Sequence, residues 1–218
     1  MAPGCGRPSN QALDALLAGY ASGSLEGALH ALVAGHLALD PRSRVFVRNL
    51  EAANGVALEG IEPKPVTNRE AKLERIFADE SAARVGSDPP PDRVLPPPLA
   101  RFFGTNLDGI RWRTLWPGVK AFKVAASGRG EAVLYWIRPG REVPAHAHEG
   151  SEYTLVLKGG FTDGSGHYRR GDIAIADQDT DHRPRIDEDE DCICYTVTDA
   201  PLRLTGPVGR LLYWLGPK

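Results

Sequence analysis

Hydrophobic residues in the first half of the chain recur at the spacing of amphipathic helices. The apolar positions between Leu13 and Tyr20 follow i, i+3, i+4 and i+7, and the pattern stops at Gly23. Ser24 is a favourable N-cap residue, which predicts a second helix directly after it. One face of that helix carries Leu25, Leu29, Leu32, His36 and Leu39.

Two more helices are predicted before residue 87. Asp40-Pro41 suits the N-cap and first position of a third helix, and Asn54-Gly55 is a typical helix end. Thr67 and Glu70 match a capping-box pair at the start of a fourth helix. We therefore expect a small helical domain at residues 1–86.

The pattern changes after a segment rich in proline. Residues 87–98 contain six prolines, and because proline disrupts helices and central strands we predict a stiff linker there. From residue 99 to 218 apolar residues alternate with polar ones in short runs separated by Gly, Pro or Asp, which predicts an all-β sandwich or barrel. The fold class is thus α+β. The predicted strands are Arg111–Trp116, Val119–Ala125, Glu131–Arg138, Tyr153–Leu157, Gly171–Ala176, Cys192–Thr198 and Gly209–Trp214.

Composition excludes several classes of protein. The formal net charge is -2, so nothing predicts a basic surface for direct contact with nucleic acid. No apolar run approaches the roughly 20 residues that span a bilayer, and the first ten residues do not resemble a secretory signal. We therefore expect a cytoplasmic protein with no membrane contact.

Two features near the end of the chain have a simple structural interpretation. Cys192 and Cys194 would share one face of a strand, where neighbouring cysteines do not normally form a disulfide, so we interpret them as small buried residues. The acidic run at 187–191 lies between two predicted strands. We interpret it as a solvated turn, because like charges repel unless they face water.

The most specific chemical pattern is a group of metal-ligand residue types. His146 and His148 would point to the same side of a strand, about 7 Å apart, and a Glu-Gly-Ser turn can return Glu152 to that side. His182 follows a further apolar strand. Three imidazoles and one carboxylate suit a divalent metal, with zinc preferred and iron, manganese or nickel as alternatives. His30 and His167 are weaker candidates that we expect at the surface.

These residues also carry a resemblance to the cupin family. The spacing Gly-x5-His-x-His-x3-Glu-x6-Gly is similar to the first cupin motif and runs without a gap from Gly140 to Gly159. Gly171-Asp172 followed by His182 resembles the second motif, although Asp177–Asp181 replaces the usual Pro-x-Gly. The resemblance implies a double-stranded β-helix that holds one metal ion inside the barrel.

Helices before a cupin are similar to the arrangement in ChrR-type anti-sigma factors. Residues 16–25, 35–39 and 198–206 carry this resemblance. It implies that the helical domain binds an extracytoplasmic-function sigma factor and that the cupin senses a signal. The family's N-terminal zinc motif, His-x3-Cys-x2-Cys, reads His36-x3-Asp40-x2-Ser43 here. We therefore expect no zinc in this half, Asp40 as a helix cap, and His36 bonded to a neighbouring carbonyl or carboxylate.

Three functional hypotheses remain open. The first is an anti-sigma-like transcriptional regulator with a metal-binding cupin sensor, able to form homo-oligomers. The second is a metal-dependent enzyme of the dioxygenase or isomerase type, for which Tyr153, Asp181 and Arg183 are near the metal ligands in sequence. The third is an interaction or storage module with a structural metal. We favour the first because of the domain order.

Overall fold

The computed structural model describes residues 10–25, 27–79, 89–90, 92–127, 130–144, 146–148, 150–177, 183–200 and 202–204. At residues 10, 125–127, 146–148 and 202–204 the description covers the backbone only. Within these ranges helices come first and strands follow, so the predicted α+β class with an all-β second part is confirmed.

Five α-helices and one 3₁₀ turn lie in the described part of the chain. The helices are α1 (Asn10–Ala21), α2 (Gly27–Leu39), α3 (Pro41–Glu59), α4 (Arg69–Ala78) and α5 (Pro97–Phe103), and the 3₁₀ turn is Leu107–Gly109. The strands are β1 (Arg113–Trp116), β2 (Val119–Ser127), β3 (Gly130–Ile137), β4 (His146–His148), β5 (Glu152–Lys158), β6 (Gly160–Thr162), β7 (His167–Arg169), β8 (Ile173–Ala176), β9 (Arg185–Ile186), β10 (Cys192–Thr198) and β11 (Leu202–Leu204).

The helix boundaries follow local chemistry, with three differences from the predictions. Ser24 does not cap α2; its hydroxyl donates instead to the carbonyl of Gly19 at the end of α1. α3 continues past Asn54-Gly55 to Glu59, because a glycine inside a helix costs only about 1 kcal/mol and does not end it. The N-cap of α4 is Asn68 in a left-handed conformation with no side-chain cap bond, so the predicted Thr67–Glu70 capping box is wrong.

The strands form three antiparallel sheets. The largest has the order β1-β2-β3-β10-β5-β8, and smaller sheets join β7-β6-β9 and β4-β11. All seven residues of β10 are buried, because both faces of this central strand are covered. Cys192 and Cys194 belong to the core inside the barrel, with Val156 and Phe161. The predicted strand Gly209–Trp214 lies outside the described residues.

The helices pack on the outer face of the large sheet. Tyr195 of β10 and Leu155 of β5 share a buried cluster with Leu32 of α2 and Leu99 of α5. α2 lies so close that a Cβ placed on Gly35 would stand 2.9 Å from the Cγ of Leu99. The helical and β parts are therefore joined by one continuous apolar core.

The proline-rich segment ends in ordered structure. Asp92 accepts hydrogen bonds from the backbone of Val94, Leu95 and Leu107, and Leu95 is 1% exposed. Pro96 and Pro97 then begin α5, where a proline costs no helical hydrogen bond. The domain boundary at 87–98 stays a prediction.

Candidate metal centre and barrel interior

The inner face of the barrel encloses a cavity of about 320 Å³. Its wall comes from the inward side chains of strands β1 to β3, β5, β6, β8, β9 and β10 and of the segments beside them. Alternation along each strand explains this, because every second residue points inward. On β5 the residues that line the cavity are Glu152 and Thr154, and on β10 they are Cys194 and Thr196. The carboxyl group of Glu152 and the hydroxyls of Thr154 and Thr196 therefore line a cavity whose other lining residues are mainly apolar.

Glu152 is the candidate ligand whose side chain the structure describes. It begins β5, is 8% exposed, and lines the cavity. The hydroxyl of Thr154 donates to its Oε1 at 3.2 Å, and the hydroxyls of Thr154 and Thr196 are 2.9 Å apart. A buried carboxylate is costly unless hydrogen bonds or a cation compensate it, so this position suits a metal ligand.

His146 and His148 are the first and last residues of β4, which confirms that the segment is a strand. β4 pairs with β11, with His146 opposite Leu204 and His148 opposite Leu202. Residues two apart on a strand share a face, as the motif requires. Their side chains lie outside the description, so their role as ligands remains a prediction.

His182 lies outside the described residues. The strand that leads toward it, β8, ends at Ala176, which pairs directly with Glu152. The chain segment that contains His182 therefore starts beside the candidate carboxylate. Among the described residues, no three or more His, Cys, Asp or Glu side chains are grouped to hold a metal ion.

Glu152, the candidate ligand whose side chain is described, suits the implied metal. Glu152 offers a buried carboxylate beside open volume, and β4 is a strand as the two-histidine spacing requires. Carboxylate and imidazole together favour zinc or another first-row divalent metal over calcium, which prefers oxygen ligands alone.

The two inward cysteines are small buried residues, and the pKa of Cys192 disfavours a reactive thiolate. Both are free and buried. A hydrogen bond with Cys194, followed by burial, raises the pKa of Cys192 far above its ordinary value. A thiol that does not ionise is a weak nucleophile. The interpretation as small buried residues is confirmed.

Tyr135 is a further polar residue of the interior. It lines the cavity from β3, and burial, followed by the nearby charge of Glu152, raises the pKa of its hydroxyl. Sequence reasoning missed Tyr135, Thr154 and Thr196. A signal existed for Thr154 and Thr196, because each stands two residues after another inward residue of the same strand.

His36, Asp40 and Ser43 form a hydrogen-bonded cluster between the helices and the barrel. The Nδ1 of His36 lies 2.7 Å from the carbonyl of Gly171, which can only accept, so Nδ1 carries a proton. The Nε2 of His36 lies 2.8 Å from the Ser43 hydroxyl, which is also 2.7 Å from Oδ2 of Asp40. The predicted contact of His36 with a neighbouring carbonyl is confirmed.

Burial and hydrogen bonds shift the pKa values of both titratable groups in this cluster. Burial lowers the pKa of His36 and outweighs the opposite effects of Gly171, Asp40 and Asp172. Burial acts to raise the pKa of Asp40, but hydrogen bonds from Ser43 and Arg42 outweigh it and lower that pKa. Asp40 accepts from the backbone amides of Arg42 and Ser43, which confirms it as the N-cap of α3.

The remaining histidines lie away from the barrel interior, as expected. The Nε2 of His167 is 2.9 Å from Oδ2 of Asp187 at an exposed position. His30 stacks on Tyr20, with ring centroids 4.8 Å apart. The acidic run at 187–191 connects β9 to β10, and Glu188, Asp189 and Glu190 are exposed, which agrees with a solvated turn.

A helical layer on a barrel with this inner carboxylate defines the chain as a cupin preceded by a helical domain. A family model for the ChrR cupin-like domain matches residues 101–201. The chain is also 40% identical to anti-sigma-E factor ChrR of Cereibacter sphaeroides over 201 residues, which covers 91% of this chain and 93% of that protein.

A solved structure supports the same assignment. The crystal structure of Rhodobacter sphaeroides SigE in complex with the anti-sigma ChrR matches with a TM-score of 0.71 and 37% identity, covering 85% of this chain and 96% of that chain. The chain belongs to the ChrR family of anti-sigma factors.

Proposed function

We propose that this protein is a cytoplasmic anti-sigma factor that binds an extracytoplasmic-function sigma factor through α3 and α4. The observation that carries the proposal is the exposure of this part of the helical domain. α4 contains no buried residue, and every described residue from 51 to 71 is exposed. Six large apolar side chains on α3, on α4 and on the segment between them are 61–82% exposed. They are Val56, Leu58, Ile61, Val66, Ile76 and Phe77.

The exposed apolar side chains of α3 and α4 indicate a protein partner that covers them. Short helices gain most of their stability from packing of an apolar face, and exposed apolar patches commonly mark protein interfaces. α4 has only ten residues, and Phe77 near its end is 82% exposed. The similar ChrR chain was crystallised with SigE, which supports a sigma factor as the occupant of this face.

We test this with the extracytoplasmic-function sigma factor of the same genome. The two proteins should co-elute in size-exclusion chromatography, and the double variant Ile76→Asp/Phe77→Asp should lose the complex because two charges enter an apolar interface. Phe102→Asp is the matched control, since Phe102 is also exposed but lies on α5. A complex that survives the double variant would refute the proposed interface.

The proposed input domain is the barrel with one divalent metal ion, zinc most of all, held by His146, His148, Glu152 and His182. Such an ion supplies charge compensation for Glu152 and a coordination position that a signal can change. The domain limits that go with this proposal are 1–86 and 99–218. No described helix is long and apolar enough to cross a bilayer.

The metal proposal is tested by elemental analysis. The purified protein should contain one metal atom per chain, and not two, because the His36 cluster offers one imidazole with both nitrogens in hydrogen bonds. His146→Ala/His148→Ala should remove that atom. His167→Ala should keep it, since this exposed histidine contacts Asp187. Unchanged metal content in the double variant would contradict the assignment.

A further inference from the structure

Strand β1 has an edge that no described strand covers. It pairs with β2 on one side, and no strand in the described part of the chain pairs with its other side. All four residues of β1 are exposed, and two of them are large and apolar, with Leu115 42% and Trp116 37% exposed. An open edge presents unpaired backbone N–H and C=O groups, which proteins normally pair or cover. The edge of β1 is therefore a candidate site for an additional strand.

The exposed apolar residues of β1 lie at the rim of the barrel. Leu115 and Trp116 line the cavity, and so do Val143 and Pro144. Strand alternation would direct Leu115 and Trp116 to opposite sides, but a register shift between Thr114 and Trp116 lets both of them line the cavity. A strand added beside β1 must therefore bring apolar side chains to this rim.

Strand β11 brings the chain to the same rim. It pairs antiparallel with β4, and Leu204 at its end lies opposite His146. Pro144 and Val143 precede His146, so a chain that continues beyond Leu204 in the same direction passes these two rim residues. Residues 205–218, which lie outside the described part of the chain, therefore begin beside the cavity entrance.

The sequence of this segment is that of an apolar strand after a turn. Gly206-Pro207 is a turn signal, and Gly209–Trp214 is the predicted strand. Alternation places Leu211 and Tyr213 on one side of that strand, and Arg210 and Leu212 on the other. The charge of Arg210 favours water for its side, which leaves Leu211 and Tyr213 to face the barrel.

The connection is long enough to reach β1. The five peptide links from Leu204 to Gly209 span up to about 17 Å when extended. That distance is enough to cross a cavity of about 320 Å³. A segment tethered by a short linker has an effective concentration of about a millimolar, which favours it over a free partner for the same edge.

We propose that Gly209–Trp214 adds a seventh strand to the large sheet beside β1 of the same chain, with Leu211 and Tyr213 against Leu115 and Trp116. Backbone hydrogen bonds along the open edge hold the added strand, and its apolar side covers the rim of the barrel. The inference concerns the β part alone, so it does not depend on the binding of a sigma factor.

Hydrogen exchange in the full-length protein, followed residue by residue by NMR, tests the added strand. The β1 amides that do not bond to β2 should be protected in the wild type, together with amides of residues 209–214. Leu211→Asp should speed exchange of those β1 amides at least about tenfold, because it places a charge against the apolar rim and releases the strand.

Two further variants and an internal standard make the result specific. Leu212→Asp is the matched control, because it places the same charge one residue later, on the side that faces water, and β1 should stay protected. Tyr213→Pro removes a backbone donor without adding a charge and should release β1 as Leu211→Asp does. Strand β3 has neighbours on both sides, so its exchange should be equal in all four proteins and would reveal a variant that unfolds.

Other occupants of the edge and other positions of the segment give different results. Protection of β1 that disappears on dilution would indicate a strand from a second copy and overturn the inference. So would rapid exchange of all outward β1 amides in the wild type, or equal effects of Leu211→Asp and Leu212→Asp. A change at residues 51–71 with none at β1 would place the segment on the exposed face of α3 and α4 and would overturn the inference as well.

Discussion

Gly35 is the point where α2 comes closest to both α5 and the barrel, and Gly35→Ala tests that docking. An added Cβ would stand 2.9 Å from Cγ and 3.0 Å from Cδ1 of Leu99, and 3.2 Å from Cδ2 of Leu155. Leu99 and Leu155 are both fully buried, so neither side chain can move away freely. The substitution therefore forces an extra methyl group into a filled core.

Two opposing terms set the magnitude. Alanine is favoured over glycine inside a helix by about 1 kcal/mol. Overpacking a filled core costs about 1–3 kcal/mol. We expect Gly35→Ala to lower the free energy of unfolding by up to about 2 kcal/mol. Gly55→Ala in α3 is the matched control, because nothing lies within 4 Å of its added Cβ, and it should raise stability by about 0.5–1 kcal/mol.

Urea denaturation of the two variants measures the difference. A double-mutant cycle with Leu99→Ala adds a second readout, because the new methyl group would occupy part of the space that the leucine vacates. Leu99→Ala alone should cost about 2–5 kcal/mol, and the double variant should cost less than the sum. If Gly35→Ala stabilises the protein as much as Gly55→Ala does, the helices do not dock on the barrel as described.

Three further predictions concern the helices and their contacts with the barrel. His36→Gln tests the pH dependence. Burial lowers the pKa of His36 below its ordinary 6.5, so the unfolded chain binds more protons than the folded chain near that pH. The free energy of unfolding of the wild type should therefore fall more than that of His36→Gln as pH drops through about 6.5 in urea titrations. Asp40→Ala should cost about 1 kcal/mol through loss of the α3 cap, by urea denaturation, and loss of a bound zinc ion instead would contradict this account. Tyr195→Phe should lower the free energy of unfolding by the contribution of one hydrogen bond to Ala28, about 0.5–1.5 kcal/mol, and therefore lower the thermal midpoint; an unchanged midpoint would show that this 3.3 Å contact contributes nothing.

Local chemistry made several elements predictable. Asp40-Pro41 fixes the start of α3 because the carboxylate caps two amides and the proline needs no donor partner. Cys192–Thr198 was predicted with its observed limits, because both of its ends adjoin polar residues that favour turns. The inward position of Glu152 followed from the turn that precedes it. In each case neighbours in sequence determine the outcome.

What could not be predicted depends on distant residues. The hydrogen bond from His36 to Gly171 joins residues 135 positions apart, and no hydrophobic periodicity in the sequence predicts it. The burial of Leu95 after a run of prolines depends on Asp92 meeting Leu107. The open volume beside Tyr135 is a property of the whole barrel, since it depends on how many side chains fail to fill the interior.

Strand β10 separates the barrel cavity from the helices that pack on the outside of the sheet. Thr196 lines the barrel cavity, while the hydroxyl of its neighbour Tyr195 donates to the carbonyl of Ala28 on the other side of the strand. Adjacent Cα atoms are only about 3.8 Å apart, and densely packed interiors transmit strain. Anything that displaces this strand from within thus presses on the helices at once, without the need for a hinge or a long relay.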